Sequence, residues 1–100
     1  MPSIEMIIPH NLSKEEALKR IQGLLEKVKS EFSDSIKDLK ESWQGNTGKF
    51  SFFVKGFSVS GTLTVENSLI ELNGQIPFAA AFFKGKIKST IEKEARELLA

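Results

Sequence analysis

The chain has no cysteine, no tyrosine and only one histidine, His10, among its 100 residues. The lack of cysteine excludes disulfides, thiolate catalysis and the zinc or iron–sulfur sites that depend on cysteine ligands. No stretch approaches the ~20 apolar residues of a membrane-spanning helix. The first residues carry neither a basic segment nor an apolar run long enough for a signal peptide. We therefore expect a cytoplasmic protein with no transmembrane segment.

Charge of either sign is not in excess, because 14 basic residues stand against 13 acidic ones. A dedicated nucleic-acid-binding protein usually gathers a basic excess into a stripe, so we expect no nucleic-acid partner. The hydrophobic content of 40% is ordinary for a globular protein. The length and composition together predict a single domain over residues 1–100.

The spacing of apolar residues predicts five strands and two long helices in the order β-α-β-β-β-β-α. Alternating Ile4, Met6 and Ile8 predict the first strand. Apolar residues three and four apart predict helices over residues 13–32 and 78–99, and Ser13 with Glu16 predicts a capping box at the start of the first. The remaining strands are predicted near residues 39–44, 50–54, 59–65 and 70–76.

Short links between the later strands predict antiparallel neighbours. Ser58, Ser60, Thr62 and Thr64 alternate with apolar residues and predict a solvent-facing side. We therefore expect an α+β fold in which a curved antiparallel sheet has both long helices on one face, as in TATA-binding-protein-like and helix-grip folds. Such a likeness carries no function by itself.

Residues suited to catalysis or metal binding are few. We interpret His10 as a residue that leads the chain into the first helix, so that His10→Ala should leave the fold and any cellular phenotype largely intact. Asp34 and Asp38 lie four apart but lack the residue pattern of a calcium loop. Glutamates with nearby Lys and Arg predict solvated helix faces; they are Glu15, Glu16, Glu92, Glu94 and Glu97. We expect no catalytic residue, cofactor or bound metal, and hence no enzyme.

The eight phenylalanines are the most informative feature of the composition. Phe52 and Phe53 are adjacent in a predicted strand, so they must point to opposite faces. Phe78 and Phe82 fall beside the apolar stripe of the last helix and predict exposed apolar surface. Packing of these rings into the core is the alternative.

Three lysines, Lys84, Lys86 and Lys88, open the last helix. Cations at a helix N-terminus oppose the helix dipole, so helix stability does not explain them. A solubilising face is one interpretation. The other is that these lysines, with Phe78 and Phe82, contact a partner or a granule surface that carries anionic groups.

Four short motifs are Ile8-Pro9-His10 before a capped helix, Trp43 before a glycine turn, Ser60-Gly61-Thr62-Leu63, and Phe83-Lys84-Gly85 with Ile87 and Ile91. With these motifs the chain resembles the polyhydroxyalkanoic acid system proteins, small bacterial proteins encoded near polyhydroxyalkanoate granule genes. The resemblance spans nearly the whole chain, although the connector over residues 33–40 looks longer than the family's usual one. It implies an association with storage-polyester metabolism and no established activity or catalytic residues.

Two hypotheses of function follow from the residues and the resemblance. The first is a non-enzymatic accessory or binding protein that contacts the polyhydroxyalkanoate granule or a granule-associated protein. The alternative is a binding protein for a small hydrophobic, acyl-type ligand, with a pocket between the sheet and the C-terminal helix. An exposed apolar patch favours the first hypothesis, and an enclosed cavity favours the second.

Overall fold

The computed structural model describes residues 3–32 and 35–100. Within them the elements follow the predicted order, and a 3₁₀ segment precedes the last helix. The strands are β1 (Ser3–Pro9), β2 (Ile36–Gln44), β3 (Thr47–Val54), β4 (Phe57–Val65) and β5 (Leu69–Gln75). The helices are α1 (Lys14–Ile21), α2 (Leu24–Phe32) and α3 (Lys84–Leu99), and the 3₁₀ segment is Phe78–Phe83.

The five strands form one open sheet in the order β1-β5-β4-β3-β2, and every neighbouring pair is antiparallel. Consecutive strands β2 to β5 are joined by short turns, as predicted. The first strand, β1, pairs with the last strand, β5, so β1 and β2 are the two edge strands of the sheet.

Both long helical regions lie on one face of the sheet, which confirms the predicted α+β architecture. The alternating residues of β1 and β5 that point to this face are buried, as is the apolar stripe of α3. On the opposite face Ser58 is exposed and Thr62 and Thr64 are half-buried. Burial of each Ile, Leu or Val side chain contributes about 1.5–3 kcal/mol to the stability of the fold. Because the apolar side chains lie on one face of the sheet, that face is the one on which the helices pack.

The first helical region differs in detail from one continuous helix. The helix is interrupted between Ile21, the end of α1, and Leu24, the start of α2. There the Gly23 N–H donates to the Arg20 carbonyl at 3.2 Å, three residues earlier, instead of to the carbonyl four residues earlier. Glycine is a poor helix former, which makes this the weakest point of the segment. Ile21 and Leu24 remain buried on either side, so the apolar stripe still faces the core.

Only one half of the predicted capping box forms. The Ser13 hydroxyl accepts a hydrogen bond from the Glu16 N–H at 3.1 Å. The Glu16 carboxylate instead accepts from the Arg20 guanidinium at 2.8 Å, which lowers the pKa of that carboxyl. Ser13 alone therefore caps the helix, and Glu16 forms an ion pair with Arg20, one turn further along.

Strand β2 begins earlier than predicted, at Ile36. Its pairing with β3 shifts between Lys37 and Lys40, and Asp38 takes a left-handed conformation with φ of 55°. Residues 36–40 of the predicted connector thus belong to a bulged edge strand, which begins three residues before the predicted start at Leu39. Asp34 lies outside the described residues.

A glycine provides the space for the only tryptophan. Trp43 and Gly48 are directly paired across β2 and β3. A Cβ atom on Gly48 would lie 2.8 Å from the indole ring of Trp43, which is closer than van der Waals contact. The indole can therefore lie across the backbone of β3 only because residue 48 has no side chain.

Candidate functional site

The 3₁₀ segment presents two phenylalanines to solvent. It begins after Pro77, whose carbonyl accepts from the Ala80 N–H at 2.9 Å. Ala80 is buried and anchors the segment, whereas Phe78 and Phe82 are 76% and 75% exposed. Residues three apart overlap along a 3₁₀ helix, so Phe83 follows Ala80 toward the core and the other two rings are left outside. The predicted exposure of Phe78 and Phe82 is therefore present in the structure.

Phe82 belongs to an aromatic cluster that sequence reasoning missed. Its ring centroid lies 4.3 Å from that of Phe83 and 6.4 Å from that of Phe57, which starts β4. The Lys55 ammonium lies 5.2 Å from the centroid of the Phe83 ring, within cation–π range. Phe78 takes part in none of the aromatic pairs found among residues 3–32 and 35–100.

Phe57 reaches the cluster because the β3–β4 turn is tight. Lys55 and Gly56 both have positive φ, 52° and 83°, as in the two-residue turns that join twisted antiparallel strands. The turn pairs Phe57 with Val54 at the end of the sheet, beside the 3₁₀ segment. The Lys-Gly pair signals a turn, but nothing local in the sequence relates Phe57 to Phe82.

The three lysines at the start of α3 are all exposed, and the first turn of this helix contains no acidic residue. Lys84 and Lys88 lie one turn apart and share a side of the helix. Lys86 projects from another side and, with Lys55 and Phe83, borders a depression of about 150 Å³. We call Phe78, Phe82, Lys84, Lys86 and Lys88 the aromatic–lysine surface.

The electrostatics of this surface favour an anionic partner. The positive charge here comes from the side chains of the three lysines, because the Lys84 N–H at the start of α3 is already bonded to the Ala81 carbonyl of the 3₁₀ segment. None of the ion pairs in the described part of the chain involves Lys84, Lys86 or Lys88. Apolar rings and unneutralised cations therefore lie side by side.

The family model described as "Putative polyhydroxyalkanoic acid system protein" matches residues 4–99. The chain belongs to this family. The match begins in β1 and ends at the last residue of α3, so it covers the whole sheet, the helices and the aromatic–lysine surface. The resemblance predicted from the motifs is confirmed. No curated protein sequence matches the chain.

His10, the only histidine of this family member, has both ring nitrogens engaged by the backbone. The Leu12 N–H donates to Nδ1 at 3.1 Å, so the proton of the neutral ring is on Nε2, which donates to the Glu66 carbonyl at 3.0 Å. His10 is only 7% exposed. His10 therefore ties the end of β1 to the β4–β5 turn, in agreement with a structural role at the start of the first helix.

Glu94 contradicts the prediction that the helix glutamates lie on solvated faces. It is 2% exposed, and its carboxylate lies 3.4 Å from the Lys27 ammonium on α2. Lys27 also donates to Glu97, and this hydrogen bond is the main reason why the pKa of Lys27 is raised. Glu94 follows Ile91 by three residues, which places it on the apolar side of α3 and is the signal that sequence reasoning missed.

Between the helices and β3 the structure leaves a narrow apolar cavity of about 20 Å³. It is lined mainly by Leu25, Val28, Phe52 and Ile91, with Trp43 at its margin. Among residues 3–32 and 35–100 no three His, Asp or Glu side chains are placed to hold a metal ion. No helix in the same ranges is long and apolar enough to cross a membrane.

Proposed function

We propose that this family member is a non-enzymatic binding protein that contacts the surface of polyhydroxyalkanoate granules through the aromatic–lysine surface. The observation that carries the proposal is the exposure of Phe78 and Phe82, at 76% and 75%, beside three exposed lysines. Family membership supplies the storage-polyester context. A granule offers an apolar polymer coated with lipid or protein, which suits both kinds of side chain.

The two rings supply the apolar part of the contact. Burying a phenylalanine side chain contributes about 1.5–3 kcal/mol, so Phe78 and Phe82 together provide roughly 3–6 kcal/mol before the cost of immobilising the protein is subtracted. Because that cost is itself about 4–15 kcal/mol, the two rings support at most a weak, reversible association.

The lysines supply selectivity for an anionic coat. A basic residue near an anionic lipid surface contributes about 1 kcal/mol, and the effect falls off within a Debye length. Lys84, Lys86 and Lys88 should therefore make granule binding decrease with salt, while the contribution of the two phenylalanines should persist.

The state of the remaining polar groups supports a role without catalysis. Both nitrogens of His10 are occupied by backbone groups, which leaves neither free to act as a general base on a substrate. Glu94, the most buried carboxylate in the described residues, is neutralised by Lys27. These groups have evident structural partners.

The acyl-ligand alternative has less support. Pockets for drug-sized ligands usually enclose about 300–1,000 Å³, whereas the cavity between the helices and the sheet is about 20 Å³. An acyl chain would have to displace the side chains of α2 or the indole of Trp43. Because Trp43 is the only tryptophan, a fluorescence titration with a fatty acid tests this alternative directly.

Co-sedimentation with isolated granules tests the proposal. The native chain is compared with Phe78→Ser/Phe82→Ser and with a matched control, Ile7→Ser/Phe53→Ser, which removes two exposed apolar residues from the other face of the sheet. We expect the first variant to bind at least tenfold more weakly and the control to bind like the native chain. Equal recovery of all three proteins would refute the proposal.

A second arm separates polymer from coat. Particles of purified polymer without lipid or protein should retain the phenylalanine-dependent binding but lose most of the salt dependence. Binding to native granules alone, with none to bare polymer, would assign the contact to the coat and contradict a direct role of the two rings on the polymer.

A further inference from the structure

We propose that the open face of the sheet is an interface between two copies of this chain, related by a twofold axis that runs parallel to the strands. This face lies opposite the helices and does not include the aromatic–lysine surface, so the inference is independent of granule binding.

Charges on the open face are segregated by strand. The acidic residues, Glu5 on β1 and Glu71 on β5, lie near one edge. The basic residues lie near the other edge: Lys49 on β3, and Lys37 and Lys40 on β2, where the bulge residue Asp38 is an acidic exception beside Lys37. The two glutamates and the three lysines are all exposed. Strand β4 separates the two groups with uncharged Ser and Thr side chains.

The pairing register shows that Glu5, Glu71, Lys40 and Lys49 lie at similar heights along the strands, whereas Lys37, paired with Phe53, lies one row beyond Lys40. One row across the sheet runs Glu5–Asn73–Thr62–Lys49–Ser42. The next row toward one end contains Lys40, and the next toward the other contains Glu71. Acidic and basic residues are thus offset sideways, across the strands, with little offset along them.

Only one face-to-face arrangement makes this pattern self-complementary. Rotation about an axis that follows β4 places β1 of one copy over β2 of the other, so Glu5 lies near Lys40 and Lys49 of the second copy. Rotation about an axis across the strands would place β1 over β1 and bring like charges together. The charge distribution therefore selects the axis parallel to the strands.

These charges have no partner within the described part of the chain. None of the ion pairs found in residues 3–32 and 35–100 includes Glu5, Glu71, Lys37, Lys40 or Lys49. The same face exposes two apolar side chains, Ile7 at 61% and Phe53 at 43%. Association would pair the charges and cover apolar area in one step.

Association through the sheet edges is less favourable than association through the face. Pro9 ends β1 and has no N–H to offer to an added strand. β2 carries the bulge between Lys37 and Lys40, and bulges and lysines both oppose edge pairing. The open face of the sheet is the larger surface that remains.

The size of the face predicts a weak dimer. Five strands at about 4.8 Å spacing and about eight residues at 3.3 Å each give roughly 600 Å² per copy. The total of about 1,200 Å² is at the low end for a specific interface. Since charges dominate it, the dimer should dissociate as salt is raised.

Sedimentation equilibrium of the full chain tests the inference. We expect the native chain to dimerise at low ionic strength. Its dissociation constant should be at least tenfold higher in 0.5 M salt. Glu5→Lys/Glu71→Lys removes the acidic edge of the face and should be monomeric. Adding Lys40→Glu/Lys49→Glu reverses the original pattern and should restore the dimer, which a loss of folding in the double variant could not explain.

Zero-length carbodiimide cross-linking identifies the contact. Cross-links between Glu5 or Glu71 of one copy and Lys40 or Lys49 of another, found in the dimer band, are the expected result. A native chain that stays monomeric at millimolar concentration and low salt overturns the inference. So does a dimer that survives Glu5→Lys/Glu71→Lys, or one that Phe78→Ser/Phe82→Ser abolishes.

Discussion

Replacing Ile91 by alanine tests whether α3 is held to the sheet by its apolar stripe. Ile91 is 4% exposed and borders the 20 Å³ cavity beside Leu25, Val28 and Phe52. The substitution removes three buried carbons, a transfer loss of about 2.4 kcal/mol at 0.8 kcal/mol each. A residual cavity of roughly 50 Å³ would add about 1.2 kcal/mol at 24 cal/mol per Å³. We expect the free energy of unfolding to fall by about 3–4 kcal/mol.

Urea denaturation measures this change, followed by far-ultraviolet circular dichroism and by the fluorescence of Trp43. The denaturation slope should stay constant, since only then does the midpoint shift report stability. Ile7→Ala is the matched control, because the same side chain is 61% exposed there; its cost should be under about 1 kcal/mol. A loss below about 1 kcal/mol for Ile91→Ala would show that the stripe does not carry the packing of α3.

Two further predictions concern the buried polar groups. His10→Ala should fold and bind granules like the native chain, but lose about 1–3 kcal/mol of unfolding free energy by urea titration, because two hydrogen bonds disappear; reduced granule binding at unchanged stability would contradict the structural role. Lys27→Met should lower the urea midpoint more than Glu94→Gln does, since only the first leaves a buried carboxylate without its cation. An equal or reversed order would show that the Glu94 charge is solvated.

The candidate site could be predicted in part. Phe78 and Phe82 lie off the helical stripe in the sequence, and their exposure follows from that position. The ring contacts of Phe82 with Phe57 and the position of Lys55 over Phe83 could not be predicted, because the β3–β4 turn and the 3₁₀ segment meet only in the folded chain.

The sequence by itself determined the local structure of this protein. The alternation of apolar residues in β1 and in β3 to β5, and the stripe Ile87–Ile91–Ala95 of α3, specify which side of each element is apolar. An apolar side must be buried, whichever element packs against it. Ser13 fixes the start of α1 through its hydrogen bond with the N–H of Glu16, a residue only three positions further along the chain. Such short-range effects depend on neighbours in the chain, so they can be read from it.

Only the tertiary structure decided how distant segments meet. The place of β1 beside β5 and the ion pair of Glu94 with Lys27 both depend on contacts between residues far apart in sequence. The start of β2 at Ile36 depends on its pairing with β3, which a polar edge strand does not signal. A pattern of apolar residues states that a surface is buried, but the partner that buries it is set by packing of the whole chain.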